Sequence, residues 1–281
     1  GRDSKAACAT PPTGASGKRT LPSAPMNPTI PSADRGPAEV AAADAALLGG
    51  AAREAYVERM FDRIARPYDD LNRIISWGRD LRWRKDAVRL ADVRPGSRVV
   101  DLGCGTGDLT LEAAAATGPT GNVVGVDLSE GMLSVARSKI AAAGVAHAEV
   151  RKGNAQETGL PDASADAVTM GWVLRNVGDR PAAYREVRRL LRPGGRFVVL
   201  DCSRPASWFV RLGFSLYLRL VMPLAVRLRG GDPSAYRYLA ASTARFLTAA
   251  ELSAELRAAG FRDVAARGYL LGTIALHVAV R

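Results

Sequence analysis

The sequence predicts an α/β fold in which a seven-stranded, mostly parallel sheet carries helices on both faces and ends in an antiparallel hairpin. Three observations predict it. A short apolar run at 97–100, β-branched at its end, feeds a turn with glycines at 103, 105 and 107, and a helical run at 108–116 follows. A second apolar strand, 122–127, closes on Asp127 about twenty residues beyond that turn. Further strand-like segments at 148–152, 165–170 and 196–201 then alternate with helical segments at 131–142 and 182–191, the rhythm of βαβ units.

The remaining elements follow in chain order. Residues 53–65, 68–75 and 80–90 read as three helices, the first two separated by Pro67, and together form a helical cap over 53–91. Pro193-Gly194-Gly195 turns the chain into the fifth strand, and the strands 261–267 and 274–280 form the closing hairpin. Between them lies a long apolar stretch, 208–228, interrupted by Arg211, Arg219, Pro223 and Arg227. Each central arginine costs ~2.5–3.5 kcal/mol in a bilayer helix, so the stretch is a lid helix within 205–245 and not a membrane span.

The glycine turn lets the backbone take positive φ and approach a ligand closely, yet the ligand is not a dinucleotide. Counted from Gly103 and Gly105, the third glycine of a G-x-G-x-x-G fingerprint falls at 108, where the chain has Asp108. A carboxylate at a helix N-terminus repels a pyrophosphate. S-adenosylmethionine carries no phosphate, and its sulfonium and ammonium are cationic, so Asp101 and Asp108 favour it by simple Coulomb attraction. Asp127 is placed to accept both ribose hydroxyls. Met132 lies beside it and lines the adenine slot, while Val135 and Ile140 of the same helix are core residues. Asn154, after the third strand, recognises adenine from the third consecutive strand end.

Composition fits one catalytic domain, 51–281, preceded by a tail, 1–50, rich in Ala, Pro, Ser and Thr and too poor in large apolar side chains to fold. The tail has the basic character of a transit peptide but no apolar core for a secretory signal. Cysteines 8, 104 and 202 have no metal-ligand spacing, which points to a reducing compartment without metal. His147 and His277 read as structural, and no Ser-His-Asp arrangement accompanies a nucleophile elbow. The chain carries +11, with six arginines against one acid, Asp232, between 204 and 237, an excess suited to an anionic surface. Nucleic acid is the competing partner, but MGWVLRN after the fourth strand lacks the Asn/Asp-Pro-Pro-aromatic signature that holds a flipped base.

In order and spacing, DLGCGTGDLT, VVGVDLSEGML, GNA, LRNV and LLRPGGR resemble the class I S-adenosylmethionine-dependent methyltransferases. More narrowly, VERMFDRIARPYDDLN, WGRDLRWRKDAV, DAVTMGWVLRNVGD, SAYRYLAAST and the closing ALH resemble the quinone-biosynthesis C-methyltransferases, over about 57–281. The resemblance implies a Rossmann-like sheet, S-adenosyl-L-methionine as cofactor, and methylation of a ring carbon of demethylmenaquinol or of a ubiquinol precursor. Methylation of oxygen or nitrogen on another small molecule, or of RNA, are the alternatives. The family's cofactor contacts fall on Thr106, Asp127, Asn154 and Ala155, with Asp101, Gly103 and Gly105 around them. Where many relatives have Ser-Phe-Gly before LRN, this chain has Gly171-Trp172-Val173, so a serine contact is absent and backbone or a water serves at Gly171.

For catalysis the resemblance points to Arg175 and Asn176 after the fourth strand and to Tyr68 and Asp69 in the cap. Arg175 would stabilise the developing phenolate, through a water that takes the proton, and Asn176 would fix its oxygen. Tyr68 would position substrate or cofactor, with Asp69 as a proton acceptor. The lid is either a buried core helix or a flap that covers a polyprenyl tail and turns its arginines to anionic lipid headgroups. The expected setting is the bacterial cytoplasm, peripheral to the inner membrane, with a plastid as the alternative if the tail is a transit peptide; a homodimer is compatible with it.

Overall fold

The computed structural model describes residues 50–222, 224, 227 and 233–281, apart from the side chains at 233, 234 and 236. The predicted tail, residue 50 aside, and most of 223–232 in the lid lie outside the described residues. The cap is made of α1 (Gly50–Ile64), α2 (Tyr68–Ser76) and α3 (Arg79–Leu90). The sheet and its helices are β1 (Arg98–Leu102), α4 (Asp108–Thr117), β2 (Asn122–Asp127), α5 (Glu130–Ala142), β3 (Ala148–Lys152), β4 (Ala165–Gly171), α6 (Arg180–Leu190) and β5 (Leu191–Cys202). The lid contains α7 (Trp208–Leu216), a π-helical turn (Tyr217–Val221) and α8 (Pro233–Arg245); α9 (Ala249–Ala258), β6 (Arg262–Tyr269) and β7 (Ile274–Val280) complete the chain.

The seven strands lie in the order β3-β2-β1-β4-β5-β7-β6. The first five are parallel, and β7 runs antiparallel between β5 and β6. β5 begins earlier than its apolar run suggests: Leu191 pairs with Ala165 and the next pair is Ala167 with Arg196, so the Pro-Gly-Gly turn bulges out of the strand.

Period-two alternation sorts the strand residues between two cores. Phe197 and Val199 join Leu102, Val126, Met170 and Leu256 on one face, whereas Val198 and Leu200 join Val99, Val123, Ala167 and Leu276 on the other. A third cluster, including Tyr56, Met60, Leu71, Met132, Leu218 and Tyr238, seals cap and lid to the sheet's C-terminal edge. Helix starts are marked locally. Ser129 Oγ accepts from Met132 N ahead of α5, Asp179 from Ala182 N ahead of α6, and Thr248 and Glu251 form a capping box ahead of α9.

The lid decides between its two readings. No residue of α7 is buried, and Trp208 and Phe209 are 56% and 67% exposed, which rules out a buried core helix over 208–216. Among the described residues no helix is long and apolar enough to cross a membrane.

Candidate active site

The C-terminal ends of β1, β2 and β4 and the loop after β3 converge on a cleft. Gly103, Gly105, Asp127, Met132, Asn154 and Ala155 line it, and Gly171 lies at its far wall. Gly105 has φ +55°, and a Cβ built there would meet nothing within 4 Å, so a side chain would stand in the cleft itself. Gly103 is constrained differently: at φ +68° its missing Cβ leaves room for the Val173 side chain. At Gly171 a Cβ would press on Leu109 Cδ2 at 3.2 Å.

Two carboxylates line the cleft, Asp127 at the end of β2 and Glu54. Asp127 Oδ2 accepts from Gly105 N at 2.8 Å and its Oδ1 from Ser129 N at 2.9 Å. Each oxygen keeps a second acceptor direction, which suits a pair of vicinal hydroxyls. Burial pushes its pKa up, against the backbone N–H groups that favour the anion. Helix α1 roofs the cleft with Glu54, Val57 and Phe61. Glu54 accepts from Asn154 Nδ2 at 3.0 Å and from Gln156 Nε2, and Asn154 Oδ1 accepts from Gln156 N. Asn154 therefore lines the cleft and anchors its own loop to the roof as well.

A smaller recess adjoins the cleft at Gly103 and Gly105, lined by Tyr68, Arg84, Asp101, Thr106 and Asp108 among others. Asp101 is 1% exposed, accepts from Thr110 and Thr169 hydroxyls at 2.7 and 2.8 Å, and is pushed up to about 6 by burial. Asp108 does not offer the free negative charge that the Coulomb reading gave it. Burial would raise its pKa, but Arg84 and Lys139 outweigh that and hold it low, and Arg73 Nη2 bonds it at 2.8 Å. The acid at the helix start is thus neutralised by three cations, because the cap helices and α5 bring their basic residues to it.

Asp69 needs the same correction. It accepts from Thr106 Oγ1 at 2.5 Å and Lys139 Nζ at 2.7 Å and does not line the cleft or the chamber described next, so it pins the glycine loop and is not placed as a proton acceptor. Thr106 is committed to that bond.

The chamber, about 550 Å³, lies between cap and lid and is walled by apolar side chains such as Met60, Ile64, Ile75, Phe214 and Leu218. Phe61, Tyr68 and Trp172 line both chamber and cleft and mark the passage between them. Trp172 holds this place with φ +60°, its ring under the Arg84 guanidinium, which is 4.7 Å from the ring centroid. Arg175 stands in the chamber wall, in a 3₁₀ turn (Leu174–Asn176) after β4. Its Nη1 donates to Asp201 Oδ1 and to Trp172 O, both at 2.7 Å, while Nε is buried without an acceptor. Asn176, in contrast, lines the cofactor cleft and not the chamber; its Oδ1 accepts from Tyr238. Sequence reasoning did not find Glu54, Phe61, Arg84 or Trp172. For Phe61, Arg84 and Trp172 the signal was their position in segments that resemble family motifs; Glu54 lies ahead of those segments.

Residues 50–281 match the ubiE/COQ5 methyltransferase family. The chain belongs to that family. As a ubiE/COQ5 protein it is an S-adenosylmethionine-dependent methyltransferase, and the cleft fits that cofactor: an open glycine floor at Gly105 and, beside it, the half-buried carboxylate of Asp127. It is 40% identical over 235 residues to the demethylmenaquinone methyltransferase of Symbiobacterium thermophilum, covering 82% of this chain and 94% of that relative. It is 39% identical to the enzyme of the same name from Geobacillus stearothermophilus, covering 80% of this chain and 97% of the relative. The ubiE/COQ5 sheet also matches solved S-adenosylmethionine-dependent methyltransferases. One from Thermotoga maritima has a TM-score of 0.55 at 22% identity, covering 79% of this chain and 98% of that one; one from Aquifex aeolicus has 0.54 at 19%, covering 75% and 96%.

Proposed function

We propose that the enzyme methylates a ring carbon of a demethylmenaquinol-type prenylated quinol. The observation that carries this reading is the apolar chamber, which is large enough for a bicyclic ring with the start of its tail and opens onto the cofactor cleft at Phe61, Tyr68 and Trp172. Both named relatives are called demethylmenaquinone methyltransferases, which supports the choice.

The bound cofactor supplies a methyl group on a cationic sulfur. Asp127 would hold the ribose hydroxyls, and Met132, Asn154 and Ala155 would hold the adenine. The recess takes the amino-acid end, with Asp101 toward the ammonium and Arg84 toward the carboxylate. Tyr68 stands at the passage; burial raises its phenol above the ordinary value, so it stays protonated and serves as a hydrogen-bond donor that positions the ring.

A ring carbon becomes a competent nucleophile as its neighbouring hydroxyl loses a proton. Burial works against the charge of Arg175, but Asp201 more than offsets it, so the guanidinium remains a fixed cation. A fixed cation cannot act as a base. It stabilises the phenolate oxygen and orients a water that accepts the hydroxyl proton; the hydrogen on the attacking ring carbon, displaced when the new C–C bond forms, leaves as a proton that restores the hydroxyl. The cap side chains Phe61 and Tyr68 would close the passage around the reacting groups and keep bulk solvent out.

The test is incubation with cofactor and demethylmenaquinol. A new ring C-methyl resonance in the product is expected. An O-methyl signal, or labelled methyl appearing only in RNA, would overturn the assignment.

A further inference from the structure

Helix α7 and the turn after it present three faces of different chemistry. Val210, Gly213, Phe214 and Tyr217 line the substrate chamber. Phe209, Leu212, Leu216 and Leu220, at helical spacing, are 67%, 52%, 49% and 64% exposed, and Phe209 stacks on the also exposed Trp208. Between those faces, Arg211, Ser215 and Arg219 line a separate pocket together with Ser203, Arg204 and Thr243, and apolar side chains such as Phe214 and Leu218 make up the rest of its wall. Among the described residues, Glu251 pairs with one of these arginines, both its oxygens accepting from Arg204 Nη2 at 2.9 Å. Arg204 Nε is buried without an acceptor, and Arg211 and Arg219 form no ion pair among the described residues.

The chamber opens beside this helix. Trp77, 78% exposed, and Leu271, 83% exposed, both line the chamber, and both are held at positive φ, 55° and 57°. Left-handed backbone is costly for large side chains, so these turns spend stability to hold a tryptophan and a leucine in water at the mouth. Tyr217 joins the mouth to the lid, its hydroxyl 3.4 Å from Ile75 O.

We propose that α7 with the Trp77 and Leu271 turns is a docking surface for an anionic phospholipid bilayer, and that the Arg204–Arg211–Arg219 pocket seats a lipid headgroup phosphate. The charge pattern selects this occupant. Three guanidiniums and three hydroxyls form a phosphate-type donor set, and the neighbouring apolar stripe is the part that enters the acyl boundary. A protein partner would need acids opposite the arginines and a matched apolar groove; a bilayer with acidic headgroups provides both without a specific shape. The inference rests on the quinol reading for its purpose, since a prenylated substrate resides in the bilayer and a mouth set against it admits the ring from the lipid side.

The test uses the full chain with vesicles of phosphatidylcholine alone or mixed with phosphatidylglycerol. Flotation is expected with the mixed vesicles only, and Trp208 and Trp77 fluorescence should shift to the blue. R211Q/R219Q should lower partitioning about thirtyfold, and L212D/L216D should abolish the fluorescence shift. Both variants should keep wild-type turnover on a short-tailed, water-soluble quinol. Equal binding to both vesicle types, binding unchanged in R211Q/R219Q, full competition by free inorganic phosphate, or burial of the stripe in a dimer seen by light scattering would overturn the proposal. Failure of the quinol reading shows separately, as no methylation of the soluble quinol by the wild type.

Discussion

Replacing Asp127 by alanine should uncouple cofactor binding from folding in a measurable way. In the native protein the carboxylate holds two loop N–H groups, from Gly105 and Ser129, one on each oxygen. Its two remaining acceptor directions are those assigned to the ribose. Hydrogen bonds to a charged acceptor contribute ~1.5–3 kcal/mol each, so loss of the ribose pair removes ~3–6 kcal/mol of binding. At 1.4 kcal/mol per decade, affinity for S-adenosylmethionine should fall about 10²- to 10⁴-fold. Stability should fall too, by ~1–3 kcal/mol for each loop N–H that finds no water. Isothermal titration at a temperature where circular dichroism shows the variant folded separates the two effects. Asp127→Asn, which still accepts on one oxygen, should fall between wild type and alanine. A folded Asp127→Ala protein that binds within threefold of wild type would refute the assignment of this carboxylate to the ribose.

Asp101→Asn should flatten the pH dependence of stability. A carboxyl raised to about 6 binds its proton more tightly folded than unfolded, so wild-type stability falls as pH rises from about 4 to 6, by ~3 kcal/mol from this group. Urea unfolding across that range should show a shallower slope in the variant, and an identical slope would sink the idea. Arg175→Ala should abolish turnover while the cofactor still binds, but it strands the buried Asp201 at a cost of ~3–5 kcal/mol. The double variant R175Q/D201N should recover stability without recovering turnover, as thermal melts and product analysis would show. Gly103→Ala drives a methyl into Val173 and should destabilise by ~1–3 kcal/mol, in part relieved by Val173→Gly in the same chain. Equal melting temperatures for the single and double variants would contradict that geometry.

The parallel half of the fold was legible because each strand is a short apolar run bounded by a turn, and two of the helices between them carry side-chain caps, Ser129 and Asp179. The boundary of β5 was not, since the bulge at Pro193–Gly195 depends on a pairing with β4 that no local pattern encodes. Within the site, Asp127 and the glycine turn were readable because their roles are imposed by backbone geometry at strand ends. Asp69 and Asp108 were misjudged for the opposite reason. Their partners Lys139, Arg73 and Arg84 come from helices far away in sequence, and an ion pair across that distance leaves no periodic trace. The parts played by Glu54 and Trp172 were unreadable for the same reason, as a roof residue and a strained turn acquire meaning only once the cap is folded down.

The placement of β7 between β5 and β6 bears on how the molecule is made. During synthesis the sixth strand emerges with no neighbour to pair with, and the fifth keeps an open edge until the seventh arrives to join both. Thr273 and Ile274 at its start are also part of the chamber wall. A nascent chain halted before Ile274 would therefore present an unprotected ribbon edge and an unfinished substrate cavity together, a state prone to aggregation. Assembly of the sheet and acquisition of activity are accordingly one event, completed by the same seven residues.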